Sequence, residues 1–268
     1  MARRIVCMWK SLLPLLALVL SQIQPQIGQP GKDVVWVPTV PALVEKMLDL
    51  AHVTAEDVVI DLGSGDGRTV IAAARRGARA VGVEYNPEMV ELSARNAASE
   101  GVAGKTTFVQ ADLFETDLSK ATVITMFLLP DINLTLRPKI LDLAPGTRIV
   151  SNTFTMGEWT PDETAKIEAG CTNWCTALLW IVPAKVDGAW KLPQGELNLK
   201  QAFQVVGGTL EAGANSGLVT DGRVRGDRIS FIVGGGQIRG RVNGDVIEGT
   251  LTANGTTSPW RATRIAGR

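Results

Sequence analysis

The fold class predicted for this 268-residue chain is an α/β domain followed by a small all-β domain, on three observations. Apolar strand-like runs alternate with helical periodicities from Asp33 to about Ala184. A glycine-rich turn joins the first of those strands to a helix. Beyond Ala184 the helical period disappears, and more than half of the 28 glycines lie there. Strands that are apolar without alternation are covered on both faces, as in a parallel sheet flanked by helices. The expected units are residues 1–31 as leader and linker, 32–184 as the α/β domain and 185–268 as the β domain.

The leader comes first. Arg3, Arg4 and Lys10 precede an apolar run from Leu12 to Leu20, followed by a polar, Pro/Gly-rich stretch from Gln22 to Gly31. The run is near the length of a signal-peptide core and well short of the roughly twenty residues that span a bilayer. Ser21 completes a Val19-x-Ser21 cleavage pattern. The expectation is export to a periplasmic or extracellular space, with an uncleaved membrane anchor as the alternative. Cys7 lies before the apolar core, the wrong place for a lipoprotein cysteine.

The α/β elements follow in order. Pro41–Ala51 is an amphipathic helix with Leu43, Met47, Leu48 and Leu50 on its apolar face, and Val58–Leu62 is the first strand. A helix over Thr69–Arg76, a strand over Arg79–Glu84, a helix over Pro87–Glu100 and a strand over Thr106–Gln110 come next. A strand over Ala121–Leu129, a helix over Asn133–Leu143 and a strand over Thr147–Phe154 precede a final pair near Thr164–Glu168 and Trp174–Val182. In the tail, Leu197–Val206, Leu218–Val224, Arg228–Val233, Gln237–Val242 and Val246–Thr252 read as strands separated by Gly-Gly, Asn-Gly and Asp-Gly hairpin signals. They suggest a β-meander or small antiparallel barrel, with Trp190 and Trp260 filling its core.

Composition narrows the function. Lys+Arg and Asp+Glu are both 27, whereas nucleic-acid binders usually carry a basic excess. Three cysteines and one histidine, His52, argue against a zinc site, so no metal is expected. His52 reads as a solvated residue after the first helix. Cys171 and Cys175 flank a turn, where a disulfide and two free thiols are equally compatible readings.

The strongest motif is Asp61-Leu62-Gly63-Ser64-Gly65-Asp66-Gly67-Arg68, between the first strand and its helix. Glycines there let the backbone approach a ligand closely, at the carboxyl ends of the strands where open α/β sheets bind their ligands. Glu84 ends the second strand and is placed to accept from both hydroxyls of a ribose; Asp112 follows the third and can accept from an exocyclic adenine amine. Three acids at adjacent strand ends would line one crevice.

With these motifs, residues 33–182 resemble the class I S-adenosylmethionine-dependent methyltransferases. Asp61 to Gly67 is similar to that superfamily's first motif, Glu84 to its ribose acid and Asp112 to its adenine-contacting acid. The resemblance implies a Rossmann-like seven-stranded sheet whose last strand is antiparallel. It implies S-adenosylmethionine as cofactor, held by Thr39, Asp61, Gly63, Ser64, Gly65, Glu84, Asp112 and Leu113. Val37-Pro38-Thr39, the glycine turn and Pro130 are further similar to protein-lysine methyltransferases of the type that modifies an ATP synthase subunit in mitochondria.

The implied reaction is N-methylation of a protein lysine or a small-molecule amine. Such a displacement needs alignment and exclusion of water more than acid–base groups, which suits a chain with one histidine. The segment Phe127-Leu128-Leu129-Pro130-Asp131-Ile132-Asn133 borders the methyl group in this fold. It lacks the Asn/Asp-Pro-Pro-Tyr sequence of nucleobase amine methylases, so no nucleic-acid substrate is expected. Pro130, Asn152 and Trp36 are the candidates on the acceptor side. A small-molecule O-methyltransferase, a nicotinamide-dependent oxidoreductase and an inactive secreted binding protein are the competing readings. The spacing Gly63-x-Gly65-x-Gly67 departs from the dinucleotide fingerprint Gly-x-Gly-x-x-Gly. Three readings of the β tail stay open: gating the active site, holding a substrate, or tethering the chain to a membrane or envelope partner.

Overall fold

Two hydrogen-bonded sheets organise the computed structural model, which describes residues 26–29, 31–32 and 35–266. The apolar leader and Cys7 lie outside the described residues, so the export expectation is not addressed by the fold. No helix among the described residues is long and apolar enough to cross a membrane.

The first sheet has seven strands: β1 (Val58–Leu62), β2 (Arg79–Glu84), β3 (Thr106–Gln110), β4 (Val123–Met126), β5 (Arg148–Asn152), β6 (Glu163–Lys166) and β7 (Thr176–Ile181). Their order is β3-β2-β1-β4-β5-β7-β6. β3, β2, β1, β4 and β5 pair in parallel, and β7 runs antiparallel to both β5 and β6. This is the Rossmann-like arrangement with a reversed last strand.

Helices α1 (Pro41–Leu50), α2 (Arg68–Arg75), α3 (Pro87–Ser99) and α4 (Pro130–Leu141) cover the sheet. Three of them open on proline, whose fixed φ suits the first helical position and whose missing N–H costs nothing there. Asn86 caps α3 by accepting from Glu88 N at 2.9 Å. Pro130 starts α4, so the helix begins before the expected Asn133, and the preceding strand ends at Met126 rather than at the expected Leu129. On one face of the sheet Leu43, Met47, Leu48 and Val70 pack on Val59, Val123 and Val150. On the other, Leu136, Ile140, Trp159 and Trp180 pack on Ile60, Ile124 and Ile149.

The second sheet is a closed barrel of eight strands: β8 (Gly188–Leu192), β9 (Gly195–Ala202), β10 (Val205–Glu211), β11 (Gly217–Arg225), β12 (Arg228–Val233), β13 (Gly236–Asn243), β14 (Val246–Ala253) and β15 (Thr256–Arg264). The expected strand Leu197–Val206 is in fact β9, a turn and the start of β10. That turn holds Phe203 at a φ of 54°, so it carries no glycine signal. β15 contains Pro259, a residue that demotes a strand in a sequence reading. It is tolerated because β15 meets β8 only at Thr263 and Arg264, which leaves most of that edge unpaired. Trp190 is fully buried in the barrel core, and Trp260 meets Phe231 edge-on at 6.0 Å.

The barrel docks at the amino-terminal ends of the parallel strands. Ala184 N donates to Gly226 O at 2.8 Å, and Gly226 lies against Gly146, just before β5. Phe203 stacks on Trp159 with centroids 6.0 Å apart, and Gln204 Nε2 donates to Thr160 O at 2.7 Å. Asp162, with 1% of its side chain exposed, accepts from Ile181 N at 2.9 Å and pairs with Arg223 at 2.8 Å. Asp162→Ala leaves a partly buried N–H without its acceptor and an arginine without its anion. The expected cost is about 1–3 kcal/mol, read as a lower urea midpoint.

Candidate active site

The opposite, carboxyl-terminal ends of β1, β2 and β4 open into a cavity of about 250 Å³. Its floor is the turn after β1. Gly63 N and Ser64 N both donate to Val83 O, at 2.9 and 3.0 Å, which ties the turn to β2. Gly65 has a φ of 54°, and a Cβ there would stand 2.4 Å from Trp36 Nε1. A residue with a Cβ would both strain the turn and push the indole away. Ser93 Oγ and Asn96 Nδ2, from α3, donate to the carbonyls of Gly65 and Asp66. Arg68 pairs with Asp66 at 2.6 Å and donates to Thr39 O at 2.8 Å, linking the turn to the segment before α1.

Three acids meet in this cavity, as their positions at strand ends lead one to expect. Asp61 is buried and accepts from Thr125 Oγ1, its neighbour on β4, at 2.6 Å. Burial, reinforced by the charges of Glu84 and Asp66, pushes its carboxyl up to about 7, against the hydrogen bond from Thr125. Glu84 accepts from Gly65 N and Asn86 N, each at 3.0 Å. These two bonds fix the carboxylate and leave lone pairs on both oxygens for a diol. Asp112 stands at the rim beside Lys32, whose hydrogen bond holds the carboxyl below its usual range. The Lys32 ammonium also sits 5.0 Å from the centre of the Tyr85 ring.

Trp36, Thr39, Gly63, Ser64, Gly65 and Leu113 also line the cavity. Pro130 and Asn152 do not. Pro130 is exposed at the head of α4, next to the lining residue Leu129. Asn152 is buried behind the wall, where its Nδ2 donates to Thr39 Oγ1 at 3.2 Å. His52 lies outside the cavity and is exposed.

The residues suit an adenosyl sulfonium. Ser64 Oγ is buried without a hydrogen-bond partner while lining the cavity, an arrangement that waits for a polar ligand. Gly82 on β2 makes room for it, since a Cβ there would lie 2.6 Å from that oxygen. The cluster of carboxylates matches a ligand that carries a ribose and net positive charge.

Sequence reading did not single out Tyr85, Phe154, Trp174 or Lys32, all of which line the cavity. Phe154 follows β5 and Trp174 lies in the loop between β6 and β7, so only the topology brings them to Phe127. A disulfide joins Cys171 to Cys175 around Trp174; the spacing of that pair was the only signal pointing to this loop. Among the described residues no cluster is able to hold a metal ion.

Comparison with known proteins agrees with this geometry. Residues 61–163 match the family described as ANTKMT methyltransferase domain. A protein-lysine N-methyltransferase of Saccharolobus islandicus is 43% identical over 150 residues, covering 55% of this chain and 92% of that protein. A lysine N-methyltransferase of Homo sapiens, named for an ATP synthase subunit, is 35% identical over 136 residues, covering 50% of this chain and 58% of that protein. A crystal structure of an RNA methyltransferase from Salinibacter ruber, in complex with S-adenosyl-L-homocysteine, is 48% identical with a TM-score of 0.53. That match covers 56% of this chain and 96% of the other.

Proposed function

The chain belongs to the class I S-adenosylmethionine-dependent methyltransferases of the protein-lysine type, and on that premise we propose that it methylates the ε-amine of lysine in a protein acceptor. The observation that carries this reading is the cavity that joins Asp61, Glu84 and the bare turn at Gly63 to Gly65 with an apolar mouth at Phe127, Leu129 and Phe154. S-adenosylmethionine supplies a methyl group on a sulfonium that is already an activated leaving group. The protein's own work is to bind, align and dry the reactants.

Glu84 is placed to receive the ribose diol, the turn from Gly63 to Gly65 to pass close beneath the ligand, and buried Asp61 to complement its positive charge. Asp112 can reach an adenine amine once Lys32 yields one of its oxygens. Thr39 is steadied by Asn152 and forms the wall below Trp36. The amine must be neutral when it attacks, so a lysine that arrives as its ammonium gives up a proton before transfer; desolvation in the mouth lowers the pKa of an ammonium and eases that step.

An RNA acceptor, the class named for the Salinibacter protein, fits the charge less well. Residues 32–184 carry 20 acidic and 13 basic side chains, which repels a polyanion and attracts a lysine-bearing partner. Labelled methyl transfer tests the choice. The expected result is label on lysine of protein fractions, absent from RNA. Label on RNA alone would overturn the lysine reading, and no binding of S-adenosylmethionine would overturn the activity.

We further propose that the protein works in an oxidising compartment outside the cytoplasm. The Cys171–Cys175 bond supports this, since such bonds persist where thiols are not kept reduced. Fractionation of the tagged full chain tests it; a cytoplasmic pool with both thiols free would refute it.

A further inference from the structure

Trp174 is 43% exposed, an unusual state for a tryptophan that also lines the cavity. Its φ is 55°, a region that a residue with a Cβ seldom adopts. The short covalent ring closed by Cys171 and Cys175 brackets this conformation. Trp174 meets Phe127 edge-on, with centroids 5.8 Å apart, and Phe127 stacks on Phe154 at 5.8 Å. Phe127 follows β4, Phe154 follows β5 and Trp174 lies between β6 and β7. Three separate elements thus build one aromatic wall. The hydrogen bonds that hold the glycine turn and the Glu84 carboxylate come from Val83, Asn86, Ser93 and Asn96, none of which belongs to this wall.

We propose that Trp174, presented by its disulfide-closed loop, is a specificity-determining residue that forms the outer wall of the acceptor channel for a lysine side chain. This rests on the lysine-methylation reading above. The chemistry matches the occupant. Aromatic faces attract an alkylammonium and cover its methylene stem, while each added methyl group spreads the positive charge over a larger apolar surface. The cavity's carboxylates add the complementary charge. Opening the ring frees Trp174 from its left-handed conformation and disperses the wall, so acceptor binding depends on the Cys171–Cys175 bond while cofactor binding does not.

The test uses the full chain saturated with S-adenosyl-L-homocysteine. Nα-acetyl-lysine methylamide is titrated in, with the norleucine analogue as the uncharged control. The indole N–H signal of Trp174, assigned by its loss in Trp174→Phe, reports occupancy. The lysine probe is expected to shift that signal and the norleucine probe to bind more weakly. Trp174→Ala is expected to weaken the lysine probe by about tenfold, with Trp174→Phe recovering most of the loss.

Reduction by a phosphine consumes one water, yields two thiols and releases the phosphine oxide; it is expected to weaken the probe to a similar extent. Affinity for S-adenosyl-L-homocysteine should change by less than about twofold throughout, because the contacts assigned to the diol and the turn come from Glu84 and residues 63–65 and not from Trp174 or its loop. A wild-type signal that does not move, or equal probe affinity in Trp174→Ala, overturns the proposal while leaving the methyltransferase reading intact. Failure of the wild type to bind S-adenosyl-L-homocysteine overturns that reading, and this proposal with it.

Discussion

Asp61→Asn is expected to weaken S-adenosylmethionine binding by about ten- to a hundredfold, the loss that accompanies removal of a buried charge–charge contact. The same change is expected to stabilise the ligand-free protein above neutral pH. Burial raises the Asp61 carboxyl from 3.8 to about 7. Between those values the folded chain holds a proton that the unfolded chain has lost, so stability falls as pH rises through that window and levels off above about 7. The full shift corresponds to roughly 4 kcal/mol, of which asparagine should recover a part because its Oδ1 still accepts from Thr125. Urea unfolding at pH 5 and pH 8 measures this, and the gap between wild type and variant should be clearly wider at pH 8, because only about a third of the window has been crossed at pH 5.

The cationic cofactor has the opposite preference. It favours the ionised carboxylate, so binding at pH 6 should release a fraction of a proton, visible by calorimetry in two buffers of different ionisation enthalpy. S-adenosyl-L-homocysteine lacks the sulfonium charge and should lose less affinity than S-adenosylmethionine in the variant. Equal losses for the two would show that Asp61 does not complement that charge.

Glu84→Ala carries the second large effect. The carboxylate holds Gly65 N and Asn86 N, and its remaining lone pairs face the cavity. Removing it deprives the ligand's diol of its acceptor and frees the glycine turn in one step. A loss of about a hundredfold is expected, the sum of two charge-assisted hydrogen bonds. Glu84→Gln retains one acceptor oxygen and the length of the side chain, so about a tenfold loss is expected there. The ribose is common to both ligands, so S-adenosylmethionine and S-adenosyl-L-homocysteine should suffer alike. That equality separates Glu84 from Asp61, and calorimetry with the two ligands reads it directly.

The parts of the molecule that were legible in the sequence are those whose signals are contiguous. β1, β2 and β3 have the expected bounds; β1 and β2 are apolar and largely buried, whereas β3 is a mostly exposed edge strand whose β-branched and aromatic residues mark it. The three acids and the glycine turn were legible because each lies or begins within two residues of a strand's carboxyl end. Illegible elements broke a local rule that tertiary structure overrode. β9 and β10 merged into one because Phe203 makes their turn without a glycine, and β15 was hidden by Pro259 on a mostly unpaired edge. β8, Gly188–Leu192, did not stand out beyond Trp190, because it opens on glycine and Lys191 interrupts its apolar run. The aromatic wall was illegible on different grounds. Phe127, Phe154 and Trp174 are neighbours only because β5 lies between β4 and β7 in the sheet order, and no spacing along the chain records that.

The attachment of the barrel at the amino-terminal ends of the strands sets the direction in which this protein faces. Among the described residues none of the barrel lines the cofactor cavity, and a five-residue strand separates the two ends by about 17 Å. Anything gripped by the barrel is therefore behind the chemistry, much as a wall bracket is behind the lamp it carries. The catalytic mouth opens on the side away from the β-cylinder, and acceptors reach it from there.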